Sequence, residues 1–424
     1  MENFKKYIIL WISQSISQLG SSMTAFALVL WAYDQSRSAL SVSMLSFCNY
    51  VPYILVSMFV GTFIDRHKKK PVMLVSDSVA AVGSLMVLLL LVTKHLSVWN
   101  IYIINAVIGI TTAFQQPASA VAVGRLVPKD KISNVSGMNS FSGNLIVVFS
   151  PMLAAALFAM GGLPLILVVD LASFTIAFCV LLFLIHIPEE IEKKDYSSPF
   201  AGVAEGFGFL KKERGILYIM LTMSLINFFS RLTYENILSP MILARSDGNS
   251  MVLGTVNACM GIGGIVGGII VSVKKESRYK ASAIYVSAAL SFLFGDLIMA
   301  AGRNAFWWSA AAIAASIPIP FIMANQNTIL YQKVPERMQG RVFAVRNAIQ
   351  YSTIPVGIIL GGYLADYVFE PFMHSGSGFA TMMEKVVGQG AGTGMAVMFL
   401  CTGICGFTVS MISCFHREIR KLND

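Results

Sequence analysis

Charge is what this chain of 424 residues has least of: Asp, Glu, Lys and Arg make up 12% of it, about half the share of an ordinary globular domain. Apolar residues make up 56%, and the mean hydropathy is +0.69. One water-surrounded core cannot hide that much apolar surface, so a soluble globular domain is excluded and lipid must solvate much of the chain. Cysteine is sparse and dispersed. Cys48, Cys179, Cys259, Cys401, Cys405 and Cys414 all fall inside apolar runs with no CxxC pair, which argues against a disulfide framework or a thiolate metal site and leaves them as small hydrophobes. The five histidines, His67, His95, His186, His374 and His416, lie near run ends or in loops without metal-ligand spacing, and no HExxH is present. Nor is there a GxxxxGK[ST] loop, so ATP is not expected as the direct energy source. With no catalytic set, no cofactor motif and no metal motif, the chain is not expected to be an enzyme.

What is there is a series of long apolar runs. Taking about 20 apolar residues as one crossing, spans are expected near 7–33, 38–60, 71–93, 98–124, 134–160, 164–187, 215–243, 251–273, 281–302, 304–332, 347–368 and 391–415. The first is too long for a signal-peptide core and lacks a small-residue cleavage site. The expected fold is therefore an all-α membrane protein of twelve transmembrane helices in two six-helix pseudo-repeats. Spacings of 207 to 208 residues support the repeat: Gly61 matches Gly268, the basic turn 66–70 matches 274–278, and Val127-Pro128 matches Val334-Pro335. The expected organisation is an N-terminal six-helix half over 1–187, a linker over 188–214 and a C-terminal half over 215–424. In the linker, Phe200, Val203, Phe207 and Leu210 recur at helical spacing, as an amphipathic helix on the inner membrane surface requires. Glycines crowd 254–268, where small residues let helices approach, and the Gly-rich stretch 369–390 is expected to be an irregular external loop with one short helix.

The net charge of +9 raises nucleic acid as a partner, and its placement argues against it. Of the 31 Lys and Arg, 25 fall at the termini or in the loops after even-numbered spans, five fall in the alternate loops, and Arg231 lies within a span. By the positive-inside rule both termini are cytoplasmic, so the basic balance reports topology.

The stretch Gly61, Asp65-Arg66, Lys69-Lys70 resembles the loop between helices 2 and 3 of the major facilitator superfamily, and the layout agrees over essentially the whole chain. Thr112-Ala113-Phe114, Pro117-Ala118, Leu126-Val127-Pro128, Ser150-Pro151, Pro355 and Gly361-Gly362 are similar to the bacterial macrolide-efflux type of drug:proton antiporter. Three positions depart from those relatives. Ile108 stands where they carry a membrane arginine, Lys68 replaces a loop glycine, and Ser150-Pro151 stands for Gly-Pro. The resemblance implies a monomeric bacterial plasma-membrane exporter that exchanges a small amphiphilic substrate for protons among membrane lipid. An exporter of an endogenous peptide, siderophore or lysolipid is the alternative, with a non-transporting partner or sensor behind it.

Ionisable groups inside a bilayer are costly and need a partner, water or a task. Asp77 and Asp170 each fall roughly 9 Å inside a membrane face on a rise of 1.5 Å per residue. Arg231 and Glu235, spaced i,i+4, can pair on one helix face. Asp170, Glu235, Arg231 and Asp77 are the candidates for proton coupling, and Asp296 is a further intramembrane carboxylate. Gln14, Gln18, Gln115, Asn227 and Asn325 are neutral polar groups suited either to interhelical hydrogen bonding or to orienting a ligand in an apolar pocket. The resemblance places helices 1, 4, 7 and 10 around a central cavity and so favours the pocket. Gly61, Asp65, Arg66, Lys69 and Lys70 form a candidate gate, in which Asp65 would cap a helix N-terminus from the other half.

Overall fold

A computed structural model describes residues 2–127, 132–187, 207–273 and 279–423. All regular structure among them is helical: α1 Glu2–Ser36, α2 Ala39–Arg66, α3 Lys69–Val92, α4 Val98–Leu126, α5 Ile132–Cys179, α6 Arg214–Thr233, α7 Leu238–Arg245, α8 Ser250–Val273, α9 Lys280–Ala301, α10 Ala305–Ser316, α11 Ile319–Lys333, α12 Glu336–Leu364, α13 Gly378–Val387, α14 Thr393–Phe415 and α15 Arg417–Asn423. A short helix also covers 207–212. The linker residues 188–206, with Phe200 and Val203, and the basic turn 274–278 lie outside the described residues.

Among the described residues ten segments, not the expected twelve, are long and apolar enough to cross a membrane. The fifth and sixth expected spans form one helical stretch, Phe141–Leu184, bent at Gly162, whose φ of 64° and ψ of −163° leave the helical region. That positive φ suits glycine alone, and Pro164 two residues on, lacking an N–H, sharpens the break. The other difference is α1. Its 35 residues are long enough, but Lys5, Lys6, Gln14, Gln18 and a run of serines dilute its hydropathy.

The helices gather into two compact units, one of Met1–Arg37 with Met44–Asp195 and the other of Ser38–Ser43 with Tyr196–Asp424. In the first, one apolar cluster joins Tyr7 and Leu10 of α1 with Val60, Ile64, Met73, Ala118, Ala122 and Leu181. A second joins Met23 and Ala27 with Val87, Ile101, Ala154 and Ile166, with Ile108 packed against it. In the other unit Met223, Tyr285, Ala288, Phe292 and Ile329 form the corresponding core. The glycines of α8 divide by face: a Cβ on Gly267 would come within 2.2 Å of the Ile317 carbonyl oxygen, while one on Gly264 would meet nothing. Close packing of α8 on α10 and its C-terminal turn therefore uses one face of the glycine-rich stretch. The Gly-rich stretch does hold one helix, α13, whose N-cap Ser377 accepts a bond from Ala380 N.

Candidate functional site

Three aspartates within spanning segments, Asp77, Asp170 and Asp296, make no ion pair among the described residues. The periodicity of α3 places Asp77 where Gln14 of α1 donates Nε2–H to its Oδ2 at 3.4 Å, and the Gln115 side chain of α4 lies close enough to interact electrostatically, outside hydrogen-bond geometry. Gln115 keeps a buried Oε1 without a hydrogen-bond partner among the described residues. Three residues picked separately from the sequence thus meet at one point of the first unit, contributed by three helices.

Asp170 of α5 is 3% exposed and accepts from Ser21 at 3.1 Å, Thr24 at 3.0 Å and Ser84 at 2.9 Å. These hydroxyls come from α1 and α3, so the carboxylate joins three helices of one unit. Both oxygens are used, Oδ1 by Ser21 and Oδ2 by Thr24 and Ser84.

Asp296, in the second unit, is 1% exposed and ends a π-helical turn, Ser291–Asp296, within α9. Such widened turns recur at functional positions because they re-aim a side chain. Thr402 of α14 donates to Oδ2 at 2.9 Å, while Oδ1 has no hydrogen-bond partner among the described residues. The Tyr234 hydroxyl lies close enough to interact electrostatically but falls outside hydrogen-bond geometry; its ring meets Phe399 edge to face at 5.2 Å.

Arg231 and Glu235 do pair, at the end of α6, and Asn236 donates to the Arg231 carbonyl at 2.8 Å. The chemical contrast with the aspartates is direct. A carboxylate held by neutral donors can take up a proton without stranding a cation, whereas neutralising Glu235 alone leaves Arg231 without that partner in a low-dielectric setting.

The remaining candidates are dispersed. Gln18 is exposed on α1, Asn227 is half-buried on α6, and Asn325 donates to the Phe321 carbonyl of its own helix at 2.8 Å. Gly61, Asp65 and Arg66 occupy the last turns of α2, but their side chains lie outside the described residues. Lys69 is buried at 6% exposure. Lys70 donates Nζ–H to the carbonyls of Leu182 and Ile185 at 2.9 and 2.7 Å, a cation placed on the carbonyls that end a helix.

The sequence reading did not single out two further acidic groups, Asp366 and Glu370. Asp366 lies in a π-helical turn, Ala365–Phe369, that continues α12. It accepts from Ser38 Oγ at 2.5 Å, Ala39 N at 3.0 Å and Leu40 N at 2.9 Å, capping the start of α2. Glu370 accepts from Met395 N at 3.1 Å at the start of α14. Their i,i+4 spacing at the end of an apolar run was readable, but the helix starts that they cap were not.

The family described as Major Facilitator Superfamily matches residues 10–358. Macrolide efflux protein A of Streptococcus pyogenes is 23% identical over 370 residues, covering 86% of this chain and 90% of that protein. The crystal structure of a bacterial homologue of the iron transporter ferroportin, inward-facing, is similar with a TM-score of 0.71 and 12% identity, over 97% of this chain and 99% of that one. The nucleoside transporter NupG is similar with a TM-score of 0.66 and 11% identity, over 96% and 98%.

Proposed function

The chain belongs to the Major Facilitator Superfamily, and on that premise we propose that it exports small amphiphilic molecules, drugs among them, in exchange for protons. It is a multi-pass, all-α membrane protein and a secondary transporter working by alternating access, so its function is solute movement and not a chemical step. The proposal adds twelve crossings in two halves of six, joined by the linker 188–214. The bent stretch Phe141–Leu184 has 44 residues, about 66 Å of helix and enough for two passes through a core of about 30 Å; α1, at 35 residues, supplies the other missing one. It also adds a monomer in a bacterial plasma membrane with both termini cytoplasmic, as the placement of Lys and Arg supports.

The observation that carries the coupling is the meeting of Asp77 with Gln14 and Gln115. The two glutamines are candidates for orienting a polar group of substrate, and Asp77 beside them can hold either a proton or a cationic substrate group. Competition for one carboxylate is the simplest way to make proton entry and substrate exit mutually exclusive. Asp170, with both oxygens taken by three hydroxyls, is assigned to holding α1, α3 and α5 together. Glu235 with Arg231 is assigned to the outer rim of the solute path. The gate role of Gly61, Asp65, Arg66, Lys69 and Lys70 is kept as part of the proposal: Asp65→Asn should impair transport while leaving insertion and substrate binding intact.

An endogenous compound, such as a peptide, siderophore or lysolipid, is the second reading of the cargo. It is favoured by the range of solutes among the solved structures of this shape, which include a bacterial homologue of the iron transporter ferroportin and a nucleoside transporter. Inside-out vesicles test the coupling for either cargo. A labelled macrolide and a labelled lysolipid are followed with and without an imposed pH gradient, in wild type and Asp77→Asn. Gradient-driven accumulation that Asp77→Asn abolishes, with substrate exchange preserved, is the expected result. Full gradient response in the variant would remove Asp77 from the coupling step.

A further inference from the structure

Between the end of α2, the first turns of α3 and the middle of α4, within the first unit, lies a cavity of about 610 Å³, within the size range of sites that hold small organic ligands. Its walls are apolar, with Phe63, Pro71, Val72, Val75, Ile110 and Phe114 among them, while Lys68 and His67 stand at one end. Phe63 bridges the two chemistries: it meets Phe114 edge to face at 5.3 Å and stacks on His67 at 3.9 Å. His67 Nδ1 lies 2.8 Å from the Phe63 carbonyl; when Nδ1–H is committed to that carbonyl, the ring offers a second donor only when protonated. Lys68 is exposed and supplies the fixed positive charge. None of the described lining residues is acidic. None of Phe63, His67, Lys68, Val75 and Ile110 belongs to the coupling or gating residues assigned above.

An apolar slot with the Lys68 cation at one end, and no anion among its described lining residues, complements a molecule with an anionic head and a hydrocarbon tail. Val75 and Phe63 are 63% and 42% exposed, so the slot is reached from the surface of the unit, along helices that lipid solvates. Basic pockets between membrane helices on the cytoplasmic side are suited to anionic lipid headgroups. We infer that this cavity is a binding site for an anionic phospholipid, the phosphate on Lys68 and one acyl chain among Phe63, Val75, Ile110 and Phe114. Placing that lipid in the inner leaflet rests on the orientation proposed above. Occupancy itself does not, because a nanodisc exposes both faces.

Bromine-labelled lipid tests it. Full-length protein carrying Val75→Trp as reporter is placed in nanodiscs of phosphatidylcholine containing a small fraction of brominated phosphatidylglycerol or, separately, brominated phosphatidylcholine. The protein without the reporter gives the background from the five native tryptophans. Reporter quenching by phosphatidylglycerol should exceed that by phosphatidylcholine at least twofold, and Lys68→Ala should bring the two together. Ile110→Phe, which fills the slot without touching Lys68 or His67, should lower quenching by both lipids and serves as the second variant where Lys68→Ala folds poorly. Equal quenching by the two lipids would overturn the proposal, as would a preference that survives Lys68→Ala. Quenching without headgroup preference that a macrolide relieves would make the cavity a solute site and overturn it too.

Discussion

Replacing Asp170 by alanine removes the acceptor for three hydroxyls at once, those of Ser21, Thr24 and Ser84. Measured helix-to-helix hydrogen bonds in membranes average about 0.6 kcal/mol, which makes a floor of about 2 kcal/mol for three. Thr24 and Ser84 are buried, and an orphaned buried hydroxyl costs about 1 to 3 kcal/mol, which makes a ceiling of about 6 kcal/mol for the two. Each hydroxyl can recover part of its loss by turning to a carbonyl one helical turn back. The expected destabilisation is therefore about 2 to 4 kcal/mol, in the lower half of that interval. Asp170→Asn behaves differently. Its amide oxygen can keep the bonds from Thr24 and Ser84, and its NH2 can donate to Ser21, whose hydroxyl also accepts. That variant should lose no more than about 1 kcal/mol. Denaturant unfolding of the purified protein in detergent, followed by circular dichroism, measures both. Gradient-driven transport by Asp170→Asn should stay near wild type. If Asp170→Ala proves as stable as Asp170→Asn, the carboxylate does not hold these helices together, and a coupling role for it regains force.

Three further expectations follow from named contacts. Asp366→Ala should loosen the first turn of α2 by about 1 to 3 kcal/mol, a lost cap plus lost macrodipole stabilisation, read as faster amide exchange at Ala39 and Leu40; unchanged exchange there would refute the cap. Gly267→Ala should destabilise by about 1 to 3 kcal/mol because its Cβ meets the Ile317 carbonyl, while Gly264→Ala, facing open space, should be neutral or up to about 1 kcal/mol stabilising; thermal unfolding that ranks the two the other way would refute the packing face. In a background lacking the six native cysteines, an impermeant thiol reagent on intact cells should modify Ser375→Cys and spare Lys68→Cys, both sites being exposed; labelling at Lys68→Cys would reverse the orientation.

Lipid solvation, the helical class and the apolar segments long enough to cross a membrane were legible from the chain because each depends on local composition: a run of about 20 apolar residues has few alternatives to a helix once its backbone must satisfy itself in hydrocarbon. Paired charge on one helix was legible for the same reason, since Arg231 and Glu235 are neighbours at i,i+4 whatever surrounds them. Intramembrane carboxylates could be found by their rarity. Their partners could not, because hydrogen bonds from α1 to α3 and α5 depend on how the helices rotate about their axes, and neither run length nor hydropathy specifies that rotation. Only the tertiary structure decided that Asp77 meets Gln14 and Gln115, that Asp170 is saturated by hydroxyls from Ser21, Thr24 and Ser84, and that Asp296 keeps one oxygen unpaired beside Tyr234. The two capping acids show the limit most clearly: Asp366 serves a helix start 326 to 328 residues earlier in the chain, and only folding brings that carboxylate to the unpaired N–H groups that need it.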